Sequence, residues 1–569
     1  MSRLFTEHIK REVANLDGVW NFKIDPENVG KDEKWFEGLK EFEMSAVPSV
    51  WNKEKGLLDY KGYAWYQRQF YTNGGTLRLK FEAVMTEADV WLDEQYLGYH
   101  YGGFCEFDFI VNNVDAGFHT LTVRVNNKPD EQSIPMSVVD WHHDGGIIRS
   151  VWAETLKGIS VINNRFDYTL ADDLKTATGF FTLDLYNAEN SEVTSKIEIK
   201  IGEDKVFADT ITLKAGESKV IKTPEFKLQN IRLWDIGKPE LYDIAIATET
   251  DDLFDRVGFR FVEVKDEKVL LNGRKIEFRG VNRHEEYPDF GFAFPVSLMR
   301  RDLDIIEDLG CNSVRGSHYP NSKIFLDMLD ARGILFWSEI PIWGGGFSEE
   351  ALGDPVVVER GLEMHREMLK YYFNHPSIVI WGMHNEIKVD TQNAYDMSKI
   401  YYDFLKENGG NRIVTYATCH PMEDICLEFC DIICINKYYG WYAGKKHDWE
   451  VFLDEFREKR ESLGFSHKPV IMSEFGIAAL YGHHTFDNIR WTEEYQADIL
   501  SHCVNLFHND SMMSGFFIWQ FTDMRTQSAW AINRARGFNN KGILNEHRKP
   551  KMAYFAIKKD YHEFAEDDE

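Results

Sequence analysis

Two glutamates end apolar, β-rich runs: Glu386 closes IVIWGMHNE directly after Asn385, and Glu474 closes PVIMSE. Such positions are candidate reactive sites, because the C-terminal strand ends of a parallel α/β barrel form the mouth where chemistry is done. The pair lies 88 residues apart in the chain, about three βα units of roughly 30 residues each, so a closed barrel would set them across the mouth from one another. Two facing carboxyls can hydrolyse a glycosidic bond with retention. One, protonated, gives its proton to the leaving oxygen, and the other, ionised, attacks the anomeric carbon from about 5 to 5.5 Å away. Burial and mutual repulsion keep one of them protonated near neutral pH. A lone strand-end glutamate would as readily cap a loop. Glu339, which ends FWSE in the same way, reads as a supporting or structural group, since the chemistry needs only two carboxyls.

A barrel must position such a pair, and the second half of the chain has its grammar. From about residue 265, apolar β-rich runs alternate with helical periodicity. Ser297 reads as an N-cap, Met299, Leu303, Ile306 and Leu309 form one stripe, Gly310 stops the helix, and the strand CNSVRG follows. KIFLDMLDAR, Gly333 and ILFWSEIP repeat the unit. With IEFRGVN, IVIWGMHNE, RIVTYAT, IICINKYY, KPVIMSEFG and GFFIWQFTD, eight strands are predicted, and residues 265–569 have the size of a TIM barrel. Residues 1–156 show short alternating runs such as TLRLKFEAV, which predict a β jelly-roll sandwich. Residues 157–264 continue that alternation over about a hundred residues, the length of an immunoglobulin-like β-sandwich.

The net charge of −28 and pI near 5.2 oppose binding to nucleic acid or anionic membrane, so an anionic substrate needs a local basic group. No run of eighteen apolar residues is present, and the first segment is too charged for a signal peptide, which predicts a cytoplasmic setting. Cys419, Cys426, Cys430 and Cys434 crowd together without a CxxC pair; like Cys105, Cys311 and Cys503 they read as buried free thiols, and no metal site is expected from them.

The segments NHPSIVIWGMHNE, VIMSEFG, VRGSHYPNSKIFLDMLDARGILFWSEIP and GVNRHEEYPD resemble glycoside hydrolase family 2, as do LDGVWNF, ADVWLDEQYLGYHYGGF and GGIIRSVW in the amino-terminal part. The resemblance spans essentially the whole chain and implies the same three domains. It implies Glu386 as acid/base, Glu474 as nucleophile and Asn385 as donor to the sugar 2-hydroxyl, with no metal or organic cofactor and a dimeric or tetrameric assembly. The stretch ARGFNNKGILNEHRKPK is similar to the Asn-x-Lys motif of the family's β-glucuronidases, with Asn539 and Lys541 matching. The physics agrees, since on so acidic a chain an ammonium with an amide donor is what can hold a uronate carboxylate. NKYYGWY resembles the glucuronidase pattern with Lys437 for an arginine, implying Asn436 and Tyr438 as glycone and nucleophile contacts and Tyr442 as a carboxylate partner. His318 and Trp519 are implied as pocket walls. Asp140 matches an aspartate reaching in from the first domain, with Asp144 as competitor. Arg534 and Arg536 flank the place where an arginine is expected, occupied by Ala535.

The implied activity is retaining hydrolysis of β-D-glucuronides. A β-galacturonidase or dual uronidase is the nearest alternative, because a C6 clamp says little about C4. A β-galactosidase, or a non-catalytic carbohydrate-binding protein, is a more distant one. The short segment WGGGFSEEALGDPVVVERG leaves the aglycone side open, which favours larger aglycones over small phenolic ones.

Overall fold

The structure, a computed structural model, describes residues 3–344 and 346–567. Gly345, in the short aglycone-side segment, and the last two residues of the acidic carboxyl end lie outside them. The first domain is a sandwich of a four-stranded and a six-stranded antiparallel sheet, whose inward positions bury Trp20, Tyr66, Leu79, Val90 and Val123. The alternation of the sequence is what allows this, since every second side chain faces the partner sheet. The second sandwich runs from Ile159 to Val257 as two four-stranded antiparallel sheets around Phe166, Phe181, Leu183, Ile199 and Ile244. Residues 3–11 run along this second sandwich and the barrel. Arg3 pairs with Asp255 and Asp327, and Asp252 accepts from the Ile9 and Lys10 amides.

The third domain is a closed parallel barrel of β1 (Phe278–Asn282), β2 (Ser313–Gly316), β3 (Leu335–Glu339), β4 (Ile378–Asn385), β5 (Ile413–Thr418), β6 (Ile433–Asn436), β7 (Val470–Phe475) and β8 (Met513–Ile518). β1 pairs with both β2 and β8 and closes the ring. All eight strands are buried along their length, as expected for strands covered on both faces. A hairpin of Val262–Lys265 and Lys268–Leu271 packs under the amino-terminal ends of the strands.

One local reading is corrected. The helix after β1 begins at Val296 with Pro295 at its cap, and Ser297 is already inside it. Pro295 is extended there and no side chain caps the helix, so the start lies at the proline without the hydroxyl cap expected of the serine. Gly310 follows the helix with φ 89° and Gly333 caps the next at φ 67°, left-handed values that glycine adopts without strain. No helix among the described residues is long and apolar enough to cross a membrane.

Candidate active site

β4 and β7 deliver the two carboxyls to one cleft. Glu386 is the first residue beyond β4 and Glu474 lies near the end of β7; both line an open cleft of about 490 Å³ at the barrel mouth with Asp140, Tyr438, Tyr442, Trp519 and Arg534. Glu386 has φ 54°, a left-handed conformation that costs a non-glycine residue roughly 1–3 kcal/mol and persists only where its surroundings over-determine it. Here they do. Its N–H donates to the Ala417 carbonyl at 2.9 Å, and its Oε1 accepts from Asn436 Nδ2 at 2.8 Å.

Arg315, at the end of β2, organises the floor. It is fully buried and donates to Glu474 Oε1 (2.8 Å), Asn385 Oδ1 (2.7 Å) and both oxygens of Glu339 (3.0 Å each). Tyr438 donates its hydroxyl to the other oxygen of Glu474 at 2.7 Å. Glu339 therefore anchors Arg315, and His318 Nδ1 sits 2.6 Å from it. His318 also stacks on Trp519 with ring centroids 5.2 Å apart.

The orientation of Asn385 follows from its partners. Its Oδ1 accepts from Arg315 and, at 3.1 Å, from Asn436, whose own Oδ1 accepts from Ser473 at 2.7 Å. Asn385 Nδ2 is left buried with no partner, a donor whose cost is relieved when a ligand hydroxyl accepts from it.

The two glutamates differ electrostatically. Burial, and after it the charge of Glu474, pushes the Glu386 carboxyl up to about 8. Burial also raises Glu474, but Arg315 and the Tyr438 hydroxyl oppose it and favour the ionised form. An acid and a carboxylate are thus set apart by their surroundings.

Lys541 lies deeper, 1% exposed, and donates to the Tyr442 hydroxyl at 2.7 Å. Burial, reinforced by Arg534, lowers the ammonium to about 7. Asn539 donates to Asp140 Oδ2 at 2.6 Å, and Arg534 pairs with Asp140 Oδ1 at 2.9 Å. Of the two arginines, Arg534 is the one in the cleft; Arg536 turns out to Glu546 at 2.6 Å. Of the two aspartates, Asp140 lines the cleft, while Asp144 is buried beside His142 and the Phe292 amide. The Lys551 ammonium, at the end of the RKPK tail, donates to Asp523, the Ala479 carbonyl and the Asn540 carbonyl, which ties down the turn bearing Asn539 and Lys541. Gly476, just past β7, meets β8 so closely that a Cβ there would lie 1.9 Å from the Trp519 carbonyl oxygen and 3.3 Å from Lys541 Cδ.

The predicted residues converge on one place. Asp140, Glu386, Tyr438, Tyr442, Glu474 and Trp519 form the wall, with Asn385, Asn436, Asn539, Lys541 and His318 buried behind it. Sequence reasoning missed Arg315, Ser473 and the cleft residues Trp343, Trp441 and Trp491. A signal for Arg315 existed, since SVRG carries a charge in an apolar strand. Cys419 is the exception among the cysteines, half-buried while the other six are buried, and all seven are free.

A barrel with two carboxyls in one cleft, behind two β-sandwiches, defines a glycoside hydrolase. Three family models match nearly the whole chain: Glycosyl hydrolases family 2, sugar binding domain (residues 13–156), Glycosyl hydrolases family 2 (residues 159–260) and Glycosyl hydrolases family 2, TIM barrel domain (residues 262–566). The chain belongs to glycoside hydrolase family 2. It is 27% identical to a β-glucuronidase of Paenibacillus borealis, over 98% of both chains. It also resembles the crystal structure of a GH2 β-galacturonidase from Eisenbergiella tayi bound to galacturonate, at 33% identity over 99% of both chains with a TM-score of 0.92. The β-glucuronidase of Ruminococcus gnavus is 26% identical over 98% of this chain and 99% of that one, with a TM-score of 0.86.

The arginine contrast is directly testable. Arg534→Ala is expected to lower kcat/KM on an aryl glucuronide about 10- to 100-fold, because it removes a charged partner at the cleft. Arg536→Ala should stay within about twofold, since its half-exposed guanidinium turns away from the cleft to Glu546. Steady-state kinetics on both variants checks this, and equal effects would refute the placement.

Proposed function

We propose that the protein is a retaining β-glucuronidase, which hydrolyses β-D-glucuronides to D-glucuronate and an alcohol through a covalent glycosyl-enzyme. The observation that carries this reading is the buried Lys541 ammonium, on the turn that also carries Asn539, in the same site as the two carboxyls. A hexuronic carboxylate compensates that desolvated ammonium, whereas a neutral sugar leaves it unpaired.

In this reading Lys541, with Asn539 and Tyr442, receives the C6 carboxylate, and Asn385 Nδ2 donates to the 2-hydroxyl. Glu474, aimed by Arg315 and Tyr438, attacks the anomeric carbon. As the ester forms and the glycosidic bond breaks, Glu386 protonates the leaving oxygen. Glu386, now ionised, takes a proton from water, which attacks the same carbon; the ester breaks and glucuronate leaves with its β configuration. Because Glu386 must start protonated and its carboxyl lies at about 8, activity is present below that pH and is lost as pH rises through it. A pH–rate profile should show this alkaline limb, and Glu386→Gln should lack it when an activated leaving group is used.

The open cleft beside Trp343 is consistent with larger aglycones. Cytoplasmic residence and a dimeric or tetrameric assembly belong to the same proposal; light scattering of the purified protein tests the latter.

One observation favours a second reading. The β-galacturonidase from Eisenbergiella tayi is 33% identical to this chain, against 26–27% for the two β-glucuronidases compared above. Initial rates on matched aryl β-D-glucuronide, β-D-galacturonide and β-D-galactoside decide between them. A faster galacturonide would move only the C4 assignment, and a faster galactoside would overturn the uronide reading.

A further inference from the structure

Three groupings among the described residues bring histidine and carboxylate ligand atoms within 4.8 Å of one another. Two are already engaged. Asp327 is taken by Arg3, and Asp330 by His375 and the Ser377 amide. Asp251 is taken by Arg11, and Asp252 caps the Ile9 and Lys10 amides.

The third, His447, Glu450 and His502, is different. Glu450 Oε1 lies 3.3 Å from His502 Nε2 and 3.5 Å from His447 Nδ1. The two imidazole rings stand 82° to one another with centroids 5.4 Å apart. His502 Nε2 and Glu450 Oε2 are buried atoms that make no hydrogen bond, although the imidazole lies within ion-pair distance of Glu450 Oε1. Zinc bonds of about 2.0–2.2 Å to nitrogen and oxygen, at tetrahedral angles, put neighbouring ligand atoms about 3.4 Å apart. Both measured separations fit that edge. The neighbouring Lys446 is held by Asp498 at 2.8 Å, which partly neutralises its charge beside the group.

We propose that His447, Glu450 and His502 bind one Zn²⁺ or a comparable divalent transition metal, with solvent completing the tetrahedron. His447 precedes the helix Asp448–Ser462 and His502 sits in the helix Glu493–Asn509. The ion therefore joins two helices of the outer ring. It also fixes the end of the segment 437–447, which brings Tyr438, Trp441 and Tyr442 to the cleft. The site is structural and takes no part in bond cleavage, and the inference stands whichever uronide the protein hydrolyses.

The test is calorimetric titration of the chelator-stripped full-length protein with ZnCl₂, and visible absorption on titration with Co²⁺. One saturable equivalent is expected, with d–d bands of low-coordinate cobalt and a rise in thermal midpoint. His502→Gln and His447→Gln should each weaken binding at least about 10-fold and abolish the thermal shift. Both variants are expected to retain wild-type hydrolysis without added metal, which shows that they fold. Absence of saturable binding, or binding undiminished in both variants, would overturn the proposal.

Discussion

Glu474→Ala is expected to lower kcat/KM on an aryl β-D-glucuronide by on the order of 10⁵-fold, about 7 kcal/mol of transition-state stabilisation. The size follows from what is lost: the covalent bond to the anomeric carbon, and the anion that balances the oxocarbenium charge. Arg315 and Tyr438 both converge on this carboxylate, so its removal also leaves a buried guanidinium with one acceptor fewer. Added azide distinguishes this loss from misfolding. In Glu474→Ala azide enters the vacated space opposite the leaving group and should give the α-glycosyl azide. In Glu386→Ala the glycosyl-enzyme still forms from a substrate with a good leaving group, and azide then attacks from the other face to give the β-azide. Product anomers assigned by NMR therefore test both roles, and a β-azide from Glu474→Ala would reverse the assignment.

Lys541→Met is expected to lower kcat/KM on the glucuronide about 10³-fold while leaving the matched galactoside unchanged or faster. Methionine keeps the stem that packs beside Gly476 and removes only the ammonium, so the turn at Asn539 and its tie to Lys551 should persist. Survival of a strong preference for uronides over neutral glycosides in this variant would place the carboxylate on Arg534 instead. The pH dependence adds a second readout. In the free protein the ammonium lies at about 7, so its charge is present below that pH and is lost as pH rises through it. A bound carboxylate favours the charged form. KM should accordingly climb from about pH 7 upward, while kcat holds until Glu386 deprotonates near 8. Lys541→Met should lose the first effect and keep the second. A wild-type KM flat through pH 9 would argue against a titrating lysine in the substrate clamp.

The barrel was legible because its strands are covered on both faces and read as unbroken apolar runs, and because a polar residue ending such a run has a reason to be there. Glu386, Asn385 and Glu474 were visible for that cause. Arg315 was harder: its charge shows in SVRG, but nothing in one strand says that its five donors will meet Glu339, Asn385 and Glu474, which lie on three others. The competition between Asp140 and Asp144, and between Arg534 and Arg536, could not be decided along the chain either, because members of each pair lie within four residues in similar surroundings. The turn geometry decides them, sending Asp140 and Arg534 into the cleft while Asp144 turns to His142 and Arg536 to Glu546.

The sequence alone thus determined the three-domain plan, the two strand-end carboxyls and the basic residue that an acidic chain must set aside for an anion. Their residue types and periodicities are local properties that survive without coordinates. Tertiary structure decided the surroundings of those groups: how unequally the two glutamates are buried and paired, how far the lysine is desolvated, and which of two neighbours turns into the cleft. Those are properties of burial and of partners distant in the chain, and only packing brings Asp140 of the first domain against Asn539 of the third.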